Sequence, residues 1–211
     1  MKKRAWACAF GCFLCQNCDL VASDILKIFE DNNAVISGHF ELRSGLHSDR
    51  YFQCARILRY PKITEELCKY SVENLHKKLG QNIKVDYVLS PALGGIPIGH
   101  EVARALDTQS IFAEKVNGKL ELRRFGVERN KSFVVVDDVV TEGGSIRRLI
   151  DIVKESDGKV LAALIFVDRS VEGELDIYCP IISLLRIKPE LWKPEECPLC
   201  KSGVKMVHPG S

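Results

Sequence analysis

The feature that most constrains this chain is the stretch 133–145, which reads FVVVDDVVTEGGS. Four apolar residues, 133–136, are typical of a strand buried on both faces, and Asp137 and Asp138 stand where that strand is expected to end. Small residues that follow supply hydroxyls and unhindered amides ahead of a helical apolar pattern, Ile146, Leu149, Ile150 and Val153. The sequence thus predicts a strand, an acidic pair, a small-residue loop and a helix start in direct succession.

Such an arrangement suits a sugar phosphate. Free amides and the dipole at a helix start attract an anion, and each favourable charge contributes about 0.3–1 kcal/mol. The carboxylates of Asp137 and Asp138 would repel a phosphate, so we expect them to accept hydrogen bonds from sugar hydroxyls or to help hold a divalent cation. The alternative is an ordinary strand-to-helix turn with two solvated acids.

The same stretch resembles the phosphoribosyl pyrophosphate (PRPP) signature of the type I phosphoribosyltransferases. That signature reads four apolar residues, two acids, two apolar residues, Thr, any residue, Gly, Gly or Thr, and Ser or Thr, and every defining position is met. Glu142 falls at the variable position, where small residues are commoner. The resemblance implies that the acids bind the ribose and that the loop binds its 5′-phosphate. It assigns to the site Asp137, Asp138, Val139, Val140, Thr141, Glu142, Gly143, Gly144 and Ser145.

Length and charge narrow the class of protein. With 211 residues and 46% hydrophobic content, the chain is expected to form one domain with small appendages. The formal net charge is +2, from 30 basic and 28 acidic residues, and the basic residues form no long run. Nucleic acid is therefore not an expected partner. A membrane is not one either, because no apolar run approaches the length that spans a bilayer.

Nine cysteines are present, an odd number without a regular framework, which favours reduced thiols and a cytoplasmic location. Residues 1–20 include Cys8, Cys12, Cys15 and Cys18. Lys2–Arg4 followed by an apolar stretch resembles a secretory signal in outline, but the cleavage-site pattern is poor. An extension that packs loosely or is disordered is the favoured interpretation.

The stretch 38–58 narrows the resemblance to the orotate phosphoribosyltransferase family. Its pattern is similar to the N-terminal hood that covers the base in that family, and the matching positions are Phe40, Leu42, Arg43, Ser44, Gly45, Ser48, Tyr51 and Phe52. The resemblance implies that Arg43 reaches toward the orotate ring and diphosphate while Tyr51 and Phe52 flank the base. Residues 44–50 are too polar and turn-rich to be expected in a core. The alternative is a surface hairpin whose Arg43, His47 and Arg50 are only solvated.

A second glycine loop follows the strand predicted at 85–89 and reads SPALGGIPIGH. Gly94 and Gly99 have the spacing of the glycines in a nucleotide-binding P-loop. However, His100 and Glu101 replace the Lys and Ser/Thr that would bind phosphate and Mg²⁺. In the resembled family this position is the pyrophosphate loop, and the resemblance implies that backbone amides bind the leaving diphosphate. The residues concerned are Ala92, Leu93, Gly94 and Gly95. The alternative is a glycine turn that allows tight strand-to-helix packing.

The cation-rich segment 115–131 would, by composition alone, be a solvated hairpin. The resemblance makes it the mobile catalytic loop, with Lys115 and Lys119 acting on the diphosphate and Arg123 and Arg124 assigned less firmly. In that family the loop usually serves the neighbouring subunit, which implies a homodimer.

Arg169 follows the strand predicted at 159–167. In the resembled family an arginine at this point grips the orotate carboxylate, and a guanidinium fork matches a carboxylate with two hydrogen bonds. The alternative is an ion pair with Asp168 or Glu172.

The segment 191–211 carries Cys197 and Cys200, half of a zinc site. Two more ligands would be needed, and Cys179, His208 or the N-terminal cysteines are candidates for zinc or iron–sulfur binding. An unligated, exposed tail is the favoured alternative.

Alternating strands and helices predict an α/β domain with its site at the carboxyl edge of a mainly parallel sheet. The resemblance implies the type I phosphoribosyltransferase fold with helices flanking the sheet, a domain at 21–190 and a small hood mainly at 21–58. It further implies transfer of ribose 5-phosphate from PRPP to orotate with Mg²⁺ as cofactor, held mainly by PRPP near Asp137 and Asp138. A purine phosphoribosyltransferase and a non-enzymatic PRPP sensor are the competing functions.

Overall fold

A computed structural model describes residues 22–42, 44–170 and 175–208. The predictions for the extension 1–20, for Arg43 and for Glu172 lie outside the described residues. Within these ranges no helix is both long enough and apolar enough to cross a membrane.

The described residues form the following elements in chain order. Helix α1 (Ala22–Asp31) precedes strands β1 (Val35–Glu41) and β2 (His47–Phe52), the short helix α2 (Ala55–Leu58) and the long helix α3 (Pro61–Leu79). Next come β3 (Tyr87–Pro91), α4 (Gly95–Ala105), β4 (Gln109–Val116), β5 (Lys119–Glu121), β6 (Ser132–Val140) and α5 (Gly144–Glu155). The last elements are β7 (Lys159–Asp168), β8 (Ile181–Arg186), β9 (Leu191–Trp192), α6 (Pro198–Lys201) and β10 (Met206–Val207).

The central sheet has six strands in the order β5-β4-β3-β6-β7-β8 and is parallel except for the β4–β5 pair. Successive residues of β6 point to opposite faces. Val134 and Val136 belong to the core that contains residues of α1, α3 and α4, whereas Phe133 and Val135 belong to the core beneath α5. Helices therefore cover both faces of the sheet, which confirms the predicted α/β architecture.

Strand β6 is longer than the sequence predicted. It was expected to end before the acidic pair, but its pairing with β7 continues through Asp137 opposite Ile165 to Val140 opposite Asp168. Backbone pairing depends little on side-chain polarity, so the acids extend the ladder instead of ending it. The acidic pair consequently lies within the strand, and the loop begins only at Thr141.

The hood is a separate four-stranded sheet in the order β10-β1-β2-β9. Its two inner strands form an antiparallel hairpin, and both outer strands come from the C-terminal segment. The prediction that 44–50 avoids the core is wrong for His47 and Ser48, which are 4% and 0% exposed. The expectation of an exposed tail is also wrong in part, because Cys197 is completely buried.

Candidate active site

The acidic pair lies at the carboxyl edge of the central sheet, beside the second glycine loop. A Cβ atom on Gly94 would lie only 2.8 Å from Oδ2 of Asp138. The second glycine loop therefore lies directly against Asp138 of strand β6. Since a side chain at position 94 would collide with this carboxylate, the close approach requires glycine.

Asp137 is an uncompensated buried acid. Its side chain is 5% exposed, and its Oδ1 accepts a hydrogen bond from the backbone N–H of Asp138 at 2.9 Å. Burial, reinforced by the neighbouring Asp138 carboxylate, raises the pKa of Asp137 well above its ordinary value. A ligand that donates hydroxyl hydrogens, or a cation, would relieve this repulsion, so the pair is chemically suited to a ribose or a hard metal ion.

The loop after β6 leads directly into the N-terminus of α5. Gly143 has a φ of 76° and forms the N-terminal cap of α5, and a Cβ there would lie 2.7 Å from Cδ2 of Leu175. Both facts require glycine. Because this cap has no side chain, the first amides of α5 remain available to an anion. Thr141, Glu142, Gly144 and Ser145 are exposed around the helix start.

The second loop is tied to strand β4. The N–H of Ala92 donates to the carbonyl of Ala113 at 2.8 Å, the peptide bond between Ala92 and Leu93 is cis, and Leu93 is 83% exposed. A Cβ on Gly95 would lie 2.5 Å from Cδ of Pro91, so glycine is needed where the loop enters α4. This loop presents its backbone at the same sheet edge as the acidic pair.

The predicted catalytic lysines lie on the two strands of the β4–β5 hairpin, on either side of its turn. Lys115 lies two residues beyond Ala113 on β4, opposite Leu120, and Lys119 starts β5 opposite Val116. The segment 115–131 is therefore partly ordered as strand in this state. Arg124 is engaged with Glu114, its Nε and Nη2 atoms donating at 2.8 and 3.0 Å, while Arg123 is exposed. Both lysines are exposed on this hairpin, and Arg124 is paired with Glu114.

Arg169 lies where β7 ends and faces the hood. Its guanidinium carbon is 4.8 Å from the centre of the Phe52 ring, and its backbone N–H donates to the carbonyl of Val140 at 2.9 Å. The buried Nε atom has no hydrogen-bond partner among the described residues. Burial, the main cause, lowers the pKa of this guanidinium from its ordinary value. A buried, unpaired N–H is costly, which points to an anionic ligand at this position.

The alternative pairing of Arg169 with Asp168 is not what the structure shows. Oδ1 of Asp168 accepts from the backbone N–H and hydroxyl of Ser170, at 2.9 and 2.6 Å, and its Oδ2 lies 3.7 Å from Nε of Arg186. Asp168 therefore shapes the turn after β7 and leaves the Arg169 side chain turned to Phe52.

Cys54 links the end of strand β2 to the acidic pair, whereas Tyr51 packs within the hood. The half-buried Tyr51 packs its ring 5.7 Å from that of Phe40. Cys54, which the sequence reading missed, donates its thiol hydrogen to the carbonyl of Asp138 at 3.8 Å. Burial, then the charges of Asp138 and Asp137, raises the pKa of the Cys54 thiol. No local sequence pattern could have indicated this contact, since the partners are 84 residues apart.

Comparison with known proteins agrees with this geometry. Residues 57–198 match the phosphoribosyl transferase domain family. An orotate phosphoribosyltransferase of Carboxydothermus hydrogenoformans is 45% identical over 190 residues, covering 89% of this chain and 97% of the relative. That of Caldicellulosiruptor bescii is 43% identical over 187 residues, covering 88% and 95%.

Solved structures show the same fold. The crystal structure of orotate phosphoribosyltransferase from Aeropyrum pernix has a TM-score of 0.64 and 26% identity, covering 77% of this chain and 93% of that one. Adenine phosphoribosyltransferase from Saccharomyces cerevisiae has a TM-score of 0.63 at 18% identity, covering 78% and 100%, and this likeness concerns the fold alone.

A mainly parallel sheet whose carboxyl edge carries an acidic pair and two glycine loops, together with the domain match, defines the class as a type I phosphoribosyltransferase. Within that class the chain belongs to the orotate phosphoribosyltransferase family, as its relatives at 43–45% identity over most of their length show. The predicted fold and family are thereby confirmed.

Proposed function

We propose that this protein transfers ribose 5-phosphate from PRPP to orotate, giving orotidine 5′-phosphate and diphosphate in pyrimidine nucleotide biosynthesis. The observation that carries the choice of base is the buried, unpaired Nε of Arg169 stacked on Phe52, beside the strand that holds the acidic pair. A planar base bearing a carboxylate would stack in this region and satisfy the guanidinium. A purine has no carboxylate, so it would leave Arg169 unpaired.

The proposed mechanism rests on positioning and electrostatics. The bond from the anomeric carbon to diphosphate stretches before N1 of orotate bonds to that carbon, so the ribose becomes cation-like. Asp137 and Asp138 hold the ribose hydroxyls, the loop 141–145 holds the 5′-phosphate, and the loop 92–95 holds the departing diphosphate. Lys115 and Lys119 add positive charge to that leaving group. As this bond forms, the proton on N1 of orotate passes to the departing diphosphate, so no side chain has to act as a general base.

Mg²⁺ is the proposed cofactor. The carboxylates of the buried Asp137 and the half-buried Asp138 repel each other and fit a hard divalent cation, and these residues would lie nearest to an ion carried by PRPP. When bound, Mg²⁺ would neutralise the diphosphate as negative charge develops on it.

The proposal also includes a homodimer in the cytoplasm, where PRPP is available. The hairpin at 115–121 projects from the edge of the central sheet, because β5 is an outermost strand. A segment in this position can reach a neighbouring subunit, and in the proposed dimer it serves the partner's site.

Turnover separates an enzyme from a non-catalytic PRPP sensor. Purified protein with PRPP, MgCl₂ and orotate is expected to release one diphosphate for each orotidine 5′-phosphate formed, both measured by chromatography. The reaction should require all three components. Tight PRPP binding without any orotate-dependent diphosphate release would instead support the sensor.

Replacing Asp137 with Asn is expected to stabilise the ligand-free protein. The same change should lower kcat/KM by at least about 10²-fold, because a ribose contact made in the transition state is weakened. The folded-state pKa of Asp137 is raised, so the folded chain binds a proton more tightly than the unfolded chain. The stability that protonated Asp137 contributes to the folded protein is complete below its pKa in the unfolded chain. This contribution is lost as pH rises through its pKa in the folded protein. The gain in melting temperature from Asn should therefore grow as pH rises from about 4, the pKa of an unfolded aspartate, toward neutral pH.

Thermal unfolding across that pH range, with the exposed Asp151→Asn on α5 as matched control, measures the effect. A gain of about 2–4 °C corresponds to about 1 kcal/mol for a chain of this size. A variant that is less stable than wild type at every pH would contradict the assignment of Asp137 as an uncompensated buried acid.

A further inference from the structure

Four metal-ligand side chains from distant parts of the sequence converge inside the hood. His39 on β1 and His47 on β2 face Cys197 and Cys200, which bracket the start of helix α6. One ligand atom from each residue lies within 4.8 Å of all the others. His39, His47 and Cys197 are buried, at 2%, 4% and 0% exposure. The ligands that the sequence suggested, Cys179 and His208, are not in this group, and His208 instead lies 3.0 Å from Glu41.

Four of the six separations are close to those around one tetrahedral ion. Nε2 of His39 lies 3.0 Å from Nδ1 of His47, 3.5 Å from Sγ of Cys197 and 3.6 Å from Sγ of Cys200. Sγ of Cys200 lies 3.3 Å from Nδ1 of His47. Zn–N bonds of about 2.0–2.1 Å and Zn–S bonds of about 2.3 Å give tetrahedral edges of about 3.3 Å for N···N and about 3.6 Å for N···S.

The contacts within this cluster do not pair off as separate hydrogen bonds. Nδ1 of His39 lies 2.8 Å from the carbonyl of Val204, so this nitrogen carries the proton and Nε2 presents its single lone pair to the cluster. Three possible donors, His47, Cys197 and Cys200, surround that one lone pair. A cation, by contrast, accepts one lone pair from each of four ligands. The Val204 carbonyl would also orient His39, as an outer contact does in zinc sites.

We propose that His39, His47, Cys197 and Cys200 bind one structural Zn²⁺. Two imidazoles and two thiolates are a frequent set for structural zinc, and four protein ligands leave no position open for catalysis. An iron–sulfur cluster fits less well, because all four ligand atoms lie close enough together to share a single ion. A Cys197–Cys200 disulfide is not formed in the structure.

The ion would fasten the C-terminal segment to the hood. Strand β9 pairs with β2 at His47 and Ser48, and β10 pairs with β1 at His39 and Phe40. Each of these strands has only two residues, and a two-residue strand contributes little pairing energy by itself. Zn²⁺ would therefore hold both edge strands of the hood sheet. The inner strand β2 of this sheet ends at Phe52, whose ring contacts the Arg169 guanidinium.

Metal content in defined variants tests this proposal independently of turnover. The cysteines at positions 8, 12, 15 and 18 are a second possible zinc-binding group, so the full chain with these four changed to serine is the reference protein. We expect about one zinc per chain in this reference by mass spectrometry of the metal. Exchange with Co²⁺ should give the visible and thiolate charge-transfer absorption of a tetrahedral site.

Cys200→Ser is the preferred variant because Cys200 is exposed and the change is nearly isosteric, and His47→Gln removes a ligand from another element. Both should lose at least about 100-fold in Zn²⁺ affinity, measured against a chromophoric chelator. Their melting temperatures should no longer respond to chelator, whereas that of the reference should fall. Cys179→Ser and His208→Gln are the matched controls and should keep the metal.

A reference protein that holds no zinc and gives no cobalt–thiolate band would overturn the proposal. So would undiminished zinc content in both Cys200→Ser and His47→Gln. Neither result depends on whether the chain uses orotate, so failure of this inference and failure of the proposed activity are distinguishable.

Discussion

Replacing Arg169 with alanine is expected to lower kcat/KM for orotate by about 10²–10³-fold, because truncating one partner of a buried charge pair costs about 3–4 kcal/mol. The effect should appear mainly in the KM for orotate, with the KM for PRPP nearly unchanged. The reason is geometric: the guanidinium contacts Phe52 of the hood, whereas the phosphate cradles are built from the backbone of 92–95 and 141–145. Steady-state kinetics with each substrate varied in turn measures both constants.

Two variants make the Arg169 result specific. Arg169→Lys keeps a positive charge but loses the planar fork, so it should recover only part of the affinity for orotate. Arg104→Ala removes an arginine from the surface of α4, where it pairs with Glu65 and Glu101, and should leave both KM values unchanged. Equal rises in the KM for orotate and for PRPP in Arg169→Ala would contradict the role assigned to this residue.

Replacing Lys115 with alanine is expected to lower kcat by about 10²–10³-fold while PRPP binding is largely kept, as is typical when one electrostatic contact to a developing charge is lost. Lys115 is exposed on the hairpin at the edge of the central sheet. In the proposed dimer it brings its charge to the diphosphate that leaves the neighbouring subunit's site. Lys69→Ala on the surface of α3, where Lys69 pairs with Glu65, is the control. A raised KM for PRPP with kcat intact would show that Lys115 serves ground-state binding instead.

The same variant tests whether the hairpin serves a neighbouring subunit. Lys115→Ala and Asp138→Asn, each inactive alone, should regain activity when mixed and allowed to exchange subunits. A mixed dimer has one site with both native residues, so an equal mixture should approach about a quarter of wild-type activity. Exchange without any recovery would assign the hairpin to its own subunit.

The elements that carry the acidic pair and the loop 141–145 could be predicted from the sequence because their residues are contiguous. A buried strand, two acids, glycines and a helix start all fall between 132 and 155, and each has a local signal in hydrophobic period or residue type. Only the strand end was misplaced, since the pairing of Asp137 with Ile165 belongs to a neighbouring strand and leaves no mark in the local pattern.

The hood could not be predicted in the same way. His47 seemed too polar for a core, and its burial beside Cys200 depends on a partner 153 residues away. Cys54 contacts Asp138 on strand β6, which is 84 residues away in the sequence. For Arg169 the resemblance suggested a role, but the unpaired Nε and the stacking on Phe52 are visible only in three dimensions. Long-range contacts of this type have no periodic signature in the sequence.

The central claim is that this site selects a carboxylated pyrimidine. The most direct measurement offers the protein orotate, uracil, adenine and hypoxanthine together, at equal concentrations, with PRPP and MgCl₂, and identifies the nucleotides formed by chromatography with mass detection. The account predicts that orotidine 5′-phosphate is the dominant product, because only orotate satisfies Arg169. Adenylate or inosinate as the main product, with no orotidine 5′-phosphate, would contradict it.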